Sequence, residues 1–168
     1  GIDGGNGADA ITKRGAISGS AKADAVGVGV TITGAGASLS ATDVWENGIS
    51  GQANFAGIDA GAGNDTITNS GAITGTSSAT TPAVSVSVSG IGIGAAANTA
   101  SAEALSAGLD GGVGDDLIGN TGAISVASIA DANTVIVSLT GVGASAGIDA
   151  IWDGGTTATA AAAGIRAA

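Results

Sequence analysis

The 168-residue chain contains no cysteine, histidine, methionine or tyrosine, one phenylalanine, one proline and two tryptophans. Absence of cysteine excludes a disulfide framework and thiolate metal sites. It does not argue against secretion, because repeat proteins are held by stacking rather than by bridges. Absence of histidine removes the commonest general acid–base group. Serine is plentiful, yet no Gly-x-Ser-x-Gly elbow accompanies it, and no phosphate-binding loop ending in Gly-Lys-Ser/Thr occurs. Paired carboxylates at Asp3/Asp9 and Asp59/Asp65 are formally what a glycosidase uses. They recur from unit to unit, however, whereas an active site is normally built once, so no enzyme activity is expected.

Basic residues are equally scarce. Lys13, Arg14, Lys22 and Arg166 stand against 14 acidic residues, for a formal charge of −10. Counterion release from phosphates needs clustered Lys and Arg, so nucleic acid and anionic membrane are poor partners and cations are good ones. No apolar run reaches the roughly 18 residues of a membrane-spanning helix, so no membrane insertion by this segment is expected. Neither a signal peptide nor an initiator Met is present. The chain is therefore read as an internal piece of a longer polypeptide.

Large side chains are few, with leucine only at Leu39, Leu105, Leu109, Leu117 and Leu139. A conventional core fills its volume with such residues. The apolar residues available here are Val, Ile and Ala, which suit thin, closely stacked β layers.

What the chain has in abundance is repetition. GIDGGNGADAIT starts at Gly1, GIDAGAGNDTIT at Gly57 and GLDGGVGDDLIG at Gly108; a fourth start at Gly164 carries Arg166 where the others carry Asp. The units are thus residues 1–56, 57–107 and 108–163, with 164–168 opening a fourth. Six residues after each first Asp (Asp3, Asp59, Asp110) stands a second (Asp9, Asp65, Asp116). Gly15, Gly71 and Gly122 then open Gly-Ala-Ile-Ser/Thr segments, and Gly34, Gly90 and Gly141 follow at a common offset. Such self-similarity is the signature of a repeat architecture.

The middle of each unit alternates with period two: Val26, Val28, Val30, Ile32; Val84, Val86, Val88; Val135, Val137, Leu139. That is a strand with one face inside, and mixed Gly, Ser and Thr are expected on the outside. The phase slips at Gly34, Gly90 and Gly141, which predicts a bulge or corner. Trp45 and Trp152 share an offset in units one and three, at the stretch the shorter middle unit lacks. A loop on one face is expected there, with the tryptophans capping an apolar edge or contacting a partner. The helix-prone stretches 101–107 and 160–163 are read as strand. Together these signals predict an all-β fold, a β-solenoid (parallel β-helix) of stacked 51–56-residue repeats, with one or two coils per unit both open.

The chemistry sits in the glycine–aspartate loops. Calcium takes six to eight oxygens in flexible geometry, and a Gly-rich turn lets carbonyls converge because Gly tolerates positive φ. Seven of the 14 acidic residues lie in these windows: Asp3, Asp9, Asp59, Asp65, Asp110, Asp115 and Asp116. Stacking the loops would bring like charges together, and a dication would relieve them. Plain Asp-Gly turns without metal are the alternative. Asn69 and Asn120 read as ladder or turn residues, and Lys13 and Arg14 as local neutralisers of Asp9.

GGNGAD, AGAGND and GGVGDD resemble the glycine-rich nonapeptide, G-G-x-G-x-D-x-U-x, of RTX (hemolysin-type) calcium-binding repeats. The resemblance implies calcium held by Gly4, Gly5, Gly7 and Asp9; by Ala60, Gly61, Gly63 and Asp65; and by Gly111, Gly112, Gly114 and Asp116. It also implies an inward apolar position, taken here at Ala10, Thr66 and Leu117. The family carries its motif in tandem, whereas here it occurs once per unit, so a site needs units stacked loop on loop. The segments ITNSGAITG and IGNTGAIS resemble the β-helices of large bacterial surface proteins, autotransporter passengers and adhesins among them. The expected function is an extracellular structural segment: a calcium-stabilised stalk, matrix fibre or filament that associates end to end or with copies of itself. An adhesin or other cell-surface binding module is the alternative, and the calcium-binding secretion domain of a secreted enzyme is a third reading.

Overall fold

Small, β-branched and glycine-rich sequence yields strands almost throughout. The structure, a computed structural model, describes residues 1–42, 48–149 and 155–167. It is all-β, with no helix among the described residues. The strands are β1 (Ile2–Asp3), β2 (Ala10–Lys13), β3 (Ile17–Asp24), β4 (Gly27–Thr42), β5 (Ile49–Asp59), β6 (Thr66–Asn69), β7 (Ile73–Asn98), β8 (Ala100–Asp110), β9 (Leu117–Asn120), β10 (Ile124–Asp149) and β11 (Thr157–Arg166). Both helix-prone stretches lie within strands, β8 and β11.

Three parallel sheets result: β1-β5-β8-β11, β2-β6-β9, and a third in which β7 carries β10 on one side and β3 and β4 on the other. Every pairing joins a residue to its equivalent in the next unit. Ile17 lies beside Ile73 and Ile73 beside Ile124; Ile58 lies beside Leu109 and Leu109 beside Ile165. The register also locates the length difference. Thr42 pairs with Asn98, 56 residues on, whereas Ile49 pairs with Ala100, 51 on. Likewise Asp149 is 51 residues from its partner Asn98, and Thr157 is 56 from Ser101. The five extra residues are thus absorbed between Thr42 and Ile49, and between Asp149 and Thr157. Trp45 and Trp152 themselves lie outside the described residues.

The interior tapers. At the wide end Phe55, Ile58, Ala60, Ile67, Ile73 and Leu109 form an apolar cluster. Phe55 fits there because Gly75, facing it from β7, has no side chain: a Cβ at Gly75 would come within 1.9 Å of the ring. Further along, Ala53, Ala79, Ala102 and Ala104 replace the large residues. Beyond Thr81 only small, mostly polar side chains are enclosed: Ser85, Ser87, Ser89, Ser38 and Ser40.

This narrow end corrects the expectation about which face is inside. In β7, Ser85, Ser87 and Ser89 are buried, and Val84, Val86 and Val88 point outward. The flanking strands agree, with Val28, Val30, Ile32, Val135, Val137 and Leu139 exposed. The reason is distance. After Ser89 the chain turns at Gly90–Gly92, with Gly92 at φ +130, and its second arm returns against the first. The Ser85 hydroxyl reaches the Ala97 carbonyl at 2.9 Å, so one serine side chain and one hydrogen bond span the gap. Sheets that interdigitate large residues lie about 10 Å apart, and Val would not fit here. The buried hydroxyls are satisfied across the gap: Ser38 bonds to Ser87 at 2.8 Å, and Ser85 to Asn98. Alternation is thus as the sequence indicates, but its polarity is reversed.

Candidate functional site

The three glycine–aspartate loops lie directly on one another. Ala62 bridges Asn6 on one side and Val113 on the other. Between the first two loops, Gly7 donates its amide to the Ala62 carbonyl and Ala62 donates to Gly5, at 2.7 and 2.8 Å. Between the second and third, Gly63 donates to Val113 and Val113 to Gly61, at 2.8 and 2.9 Å. Gly61 and Gly63 have φ of +93 and +138. Added Cβ atoms there would lie 1.9 Å from the carbonyl oxygens of Gly5 and Gly7. Glycine is therefore required twice over, by backbone conformation and by stacking distance. The carbonyls of Gly5, Gly61, Ala62 and Val113 point to the neighbouring loop, not toward a common point as the sequence reading supposed.

The two Asp columns differ in role. Asp59 and Asp110 accept from the amides of Gly61 and Gly112 through Oδ1, at 3.1 and 3.2 Å. These are Asx turns that start the loop. Asp3, Asp59 and Asp110 form one register column, which continues with Arg166. The Arg166 guanidinium pairs with Asp110 at 3.1 Å. Asp115 is exposed and its amide bonds to the Asn64 side chain.

The second column faces inward. Asp65 is 1% exposed. Its Oδ1 accepts from the amide of Asp9 at 2.7 Å, and Asp116 Oδ1 accepts from the amide of Asp65 at 2.9 Å. The other oxygens, Oδ2 of Asp9, Asp65 and Asp116, are buried without a hydrogen-bond partner. A buried acceptor left unsatisfied costs about 1–3 kcal/mol, and more when charged. Carboxylates one strand spacing apart, about 4.8 Å, repel by roughly 3–4 kcal/mol at a protein's effective dielectric. Hard oxygen donors without partners, held in a row, are what a hard divalent cation would satisfy. No group of three or more His, Cys, Asp or Glu converges among the described residues. A cation would accordingly sit among neighbours of one column, not in a closed carboxylate cage.

No protein-family model, curated protein or solved structure matches the chain.

The site must therefore be read from its own geometry. Thr66 and Leu117 are exposed, as is Ala10, whereas Ile67 is fully buried. The inward apolar position is thus Ile11, Ile67 and Ile118, two residues after each motif Asp, which is where the nonapeptide pattern itself has it. Asn69 stacks on Asn120, its amide nitrogen 2.7 Å from the Asn120 carbonyl oxygen, and both asparagines close the following turn through Gly71 and Gly122. Lys13 occupies the same column in unit one, buried, with Nζ on the Ala72 carbonyl at 2.9 Å. Its hydrogen bond is thus to the next turn's backbone and not to Asp9. Sequence reasoning missed the enclosed serines; strict alternation of Val with Gly, Ser or Thr was the available signal.

Proposed function

We propose that the chain is a segment of a parallel β-solenoid with one coil per unit, serving as an extracellular, calcium-stabilised stalk, matrix fibre or filament of RTX-like character. The observation that carries this reading is the register. Each sheet grows by adding the same unit in parallel at an offset of 56 or 51 residues, through the same three strand positions. Such stacking has no geometric end point, and successive units bury each other's faces. A catalytic role is not part of the reading, since every carboxylate constellation recurs along the stack.

Calcium enters through the Asp9–Asp65–Asp116 column. The unpartnered Oδ2 atoms would supply ligands, with Asp3, Asp59, Asp110 and Asp115 adding negative charge on the same edge. The ion's contribution is charge compensation of a row that otherwise opposes stacking; the chain's own residues hold the loops in register through the amide-to-carboxylate ladder. Folding that waits for extracellular calcium suits a chain exported unfolded. Thermal melting followed by circular dichroism, in about millimolar calcium, the range of extracellular modules, and then in chelator, tests the metal. Small-angle scattering tests the stack: an elongated particle is expected, and a spherical one would sink the solenoid reading.

A further inference from the structure

The outward face of β4, β7 and β10 carries three straight columns of aliphatic side chains. Val28, Val84 and Val135 form one; Val30, Val86 and Val137 the next; Ile32, Val88 and Leu139 the third. In the flanking strands these side chains are 45–76% exposed. Together with Val26 they present roughly 800 Å² of apolar surface, more than the largest patch of a typical monomer and about one partner's share of a standard interface. The second arm presents a smaller apolar face on the opposite side, through Leu39, Ile91, Ile93 and Val142. The interior cannot accept these residues, since the gap between the arms admits only serine-sized side chains.

We propose that this face is a self-association surface, on which a second copy of the chain packs through its own Val28–Leu139 columns. Like residues stand at the strand spacing, so a surface that meshes with them along its whole length must have the same period, and this chain has it. Identical aliphatic ladders facing one another interdigitate as dry, tightly packed sheet pairs. A polar margin surrounds the apolar centre on β7, where Thr74, Thr76, Ser78 and Thr80 face out before Val84. Lys22 and Asp24 pair with each other at the same margin. That is the anatomy of a protein interface.

A lipid surface fits less well. The columns contain no Trp, Tyr, Lys or Arg to anchor at headgroups, and a chain of charge −10 is repelled by anionic lipid. A two-fold arrangement places the central residue, Val86, against its own counterpart. The proposal goes beyond the solenoid reading and does not need calcium, since it rests only on the packing of β4, β7 and β10.

Because the chain has no cysteine, a single introduced thiol reports contacts unambiguously. Sedimentation equilibrium of the wild type at about 100 μM should give twice the mass of the 15.2 kDa chain. Val86→Cys should form disulfide-linked dimers on mild oxidation, and Thr76→Cys on the same strand should not. Val30→Asp with Val86→Asp and Val137→Asp should sediment as a monomer with an unchanged β spectrum. Should that variant fail to fold, the two cysteine variants decide. A monomeric wild type at that concentration would overturn the proposal. So would equal cross-linking of the two cysteine variants, or co-flotation with phosphatidylcholine vesicles without dimerisation.

Discussion

The amide of Asp9 donates to Oδ1 of Asp65, 2.7 Å away and 56 residues further along the chain. The same bond repeats from Asp65 to Asp116. A motif that looks like a local turn is therefore also a contact between units, and one carboxylate oxygen in each is committed to holding the stack. The other oxygen is buried and unpartnered, and the metal chemistry proposed for the loops rests on it.

Replacing Asp65 by Asn separates those two jobs. The amide oxygen of Asn can still accept from Asp9, while the central charge of the column disappears. In chelator, Asp65→Asn should be more stable than wild type, by about 1–3 kcal/mol if one unsatisfied acceptor is relieved. Its response to calcium should shrink at the same time. Paired thermal melts of the two proteins check both halves; a variant that is less stable in chelator would show the carboxylate to be needed without metal.

The loop glycines should differ among themselves. Gly5 and Gly61 share nearly the same φ, +90 and +93, but only Gly61 has a carbonyl in the space of a Cβ. Gly5→Ala should cost only the left-handed penalty, about 1–2 kcal/mol. Gly61→Ala must also push the loops apart, and a loss beyond about 4 kcal/mol is expected, in the class of severe backbone and packing lesions. Chemical denaturation of each variant measures the difference.

The reversed alternation gives an opposite sign from the hydrophobic-inside rule. Ser87→Val would add an apolar residue at a buried site, yet it should destabilise by about 1–3 kcal/mol through overpacking. It also removes the hydroxyl bond to Ser38. Val86→Ser, on the outer face, should leave the midpoint of a monomeric sample within about 0.5 kcal/mol. Equal melting of Ser87→Val and wild type would argue that the valines do turn inward.

Phe55 and Gly75 should be coupled. Gly75→Ala should be disruptive because its methyl group collides with the ring, and Phe55→Leu in the same chain should recover part of the loss. Phe55→Ala alone should cost about 3–5 kcal/mol as a core truncation. A double-mutant cycle in denaturant measures the coupling, and additive losses would contradict the contact.

Much of this was legible in the sequence. The unit boundaries, the strands at period two and the corners near Gly34, Gly90 and Gly141 follow from spacing alone, because stacked units must repeat their turns at the same offsets. Which side of the Val/Ser alternation lies inside was not legible. It depends on how closely the arms on either side of Gly92 approach, and that distance is set by the turn and by hydroxyl-to-carbonyl bonds such as Ser85 to Ala97. Similarly, Asp65 was identifiable as a loop acid, but its division into one hydrogen-bonded and one orphaned oxygen appears only once the loops are stacked. Spacing indicates that loops coincide; it does not indicate which atoms the stacking consumes.

The most direct measurement is the thermal midpoint of the wild-type chain in about millimolar calcium and in chelator, followed by far-UV circular dichroism. The account predicts a clear upward shift in calcium, reversed by chelator and reduced in Asp65→Asn. Coincident melting curves under the two conditions would show that the Asp9–Asp65–Asp116 column stacks without a metal, and the calcium-dependent reading would fall.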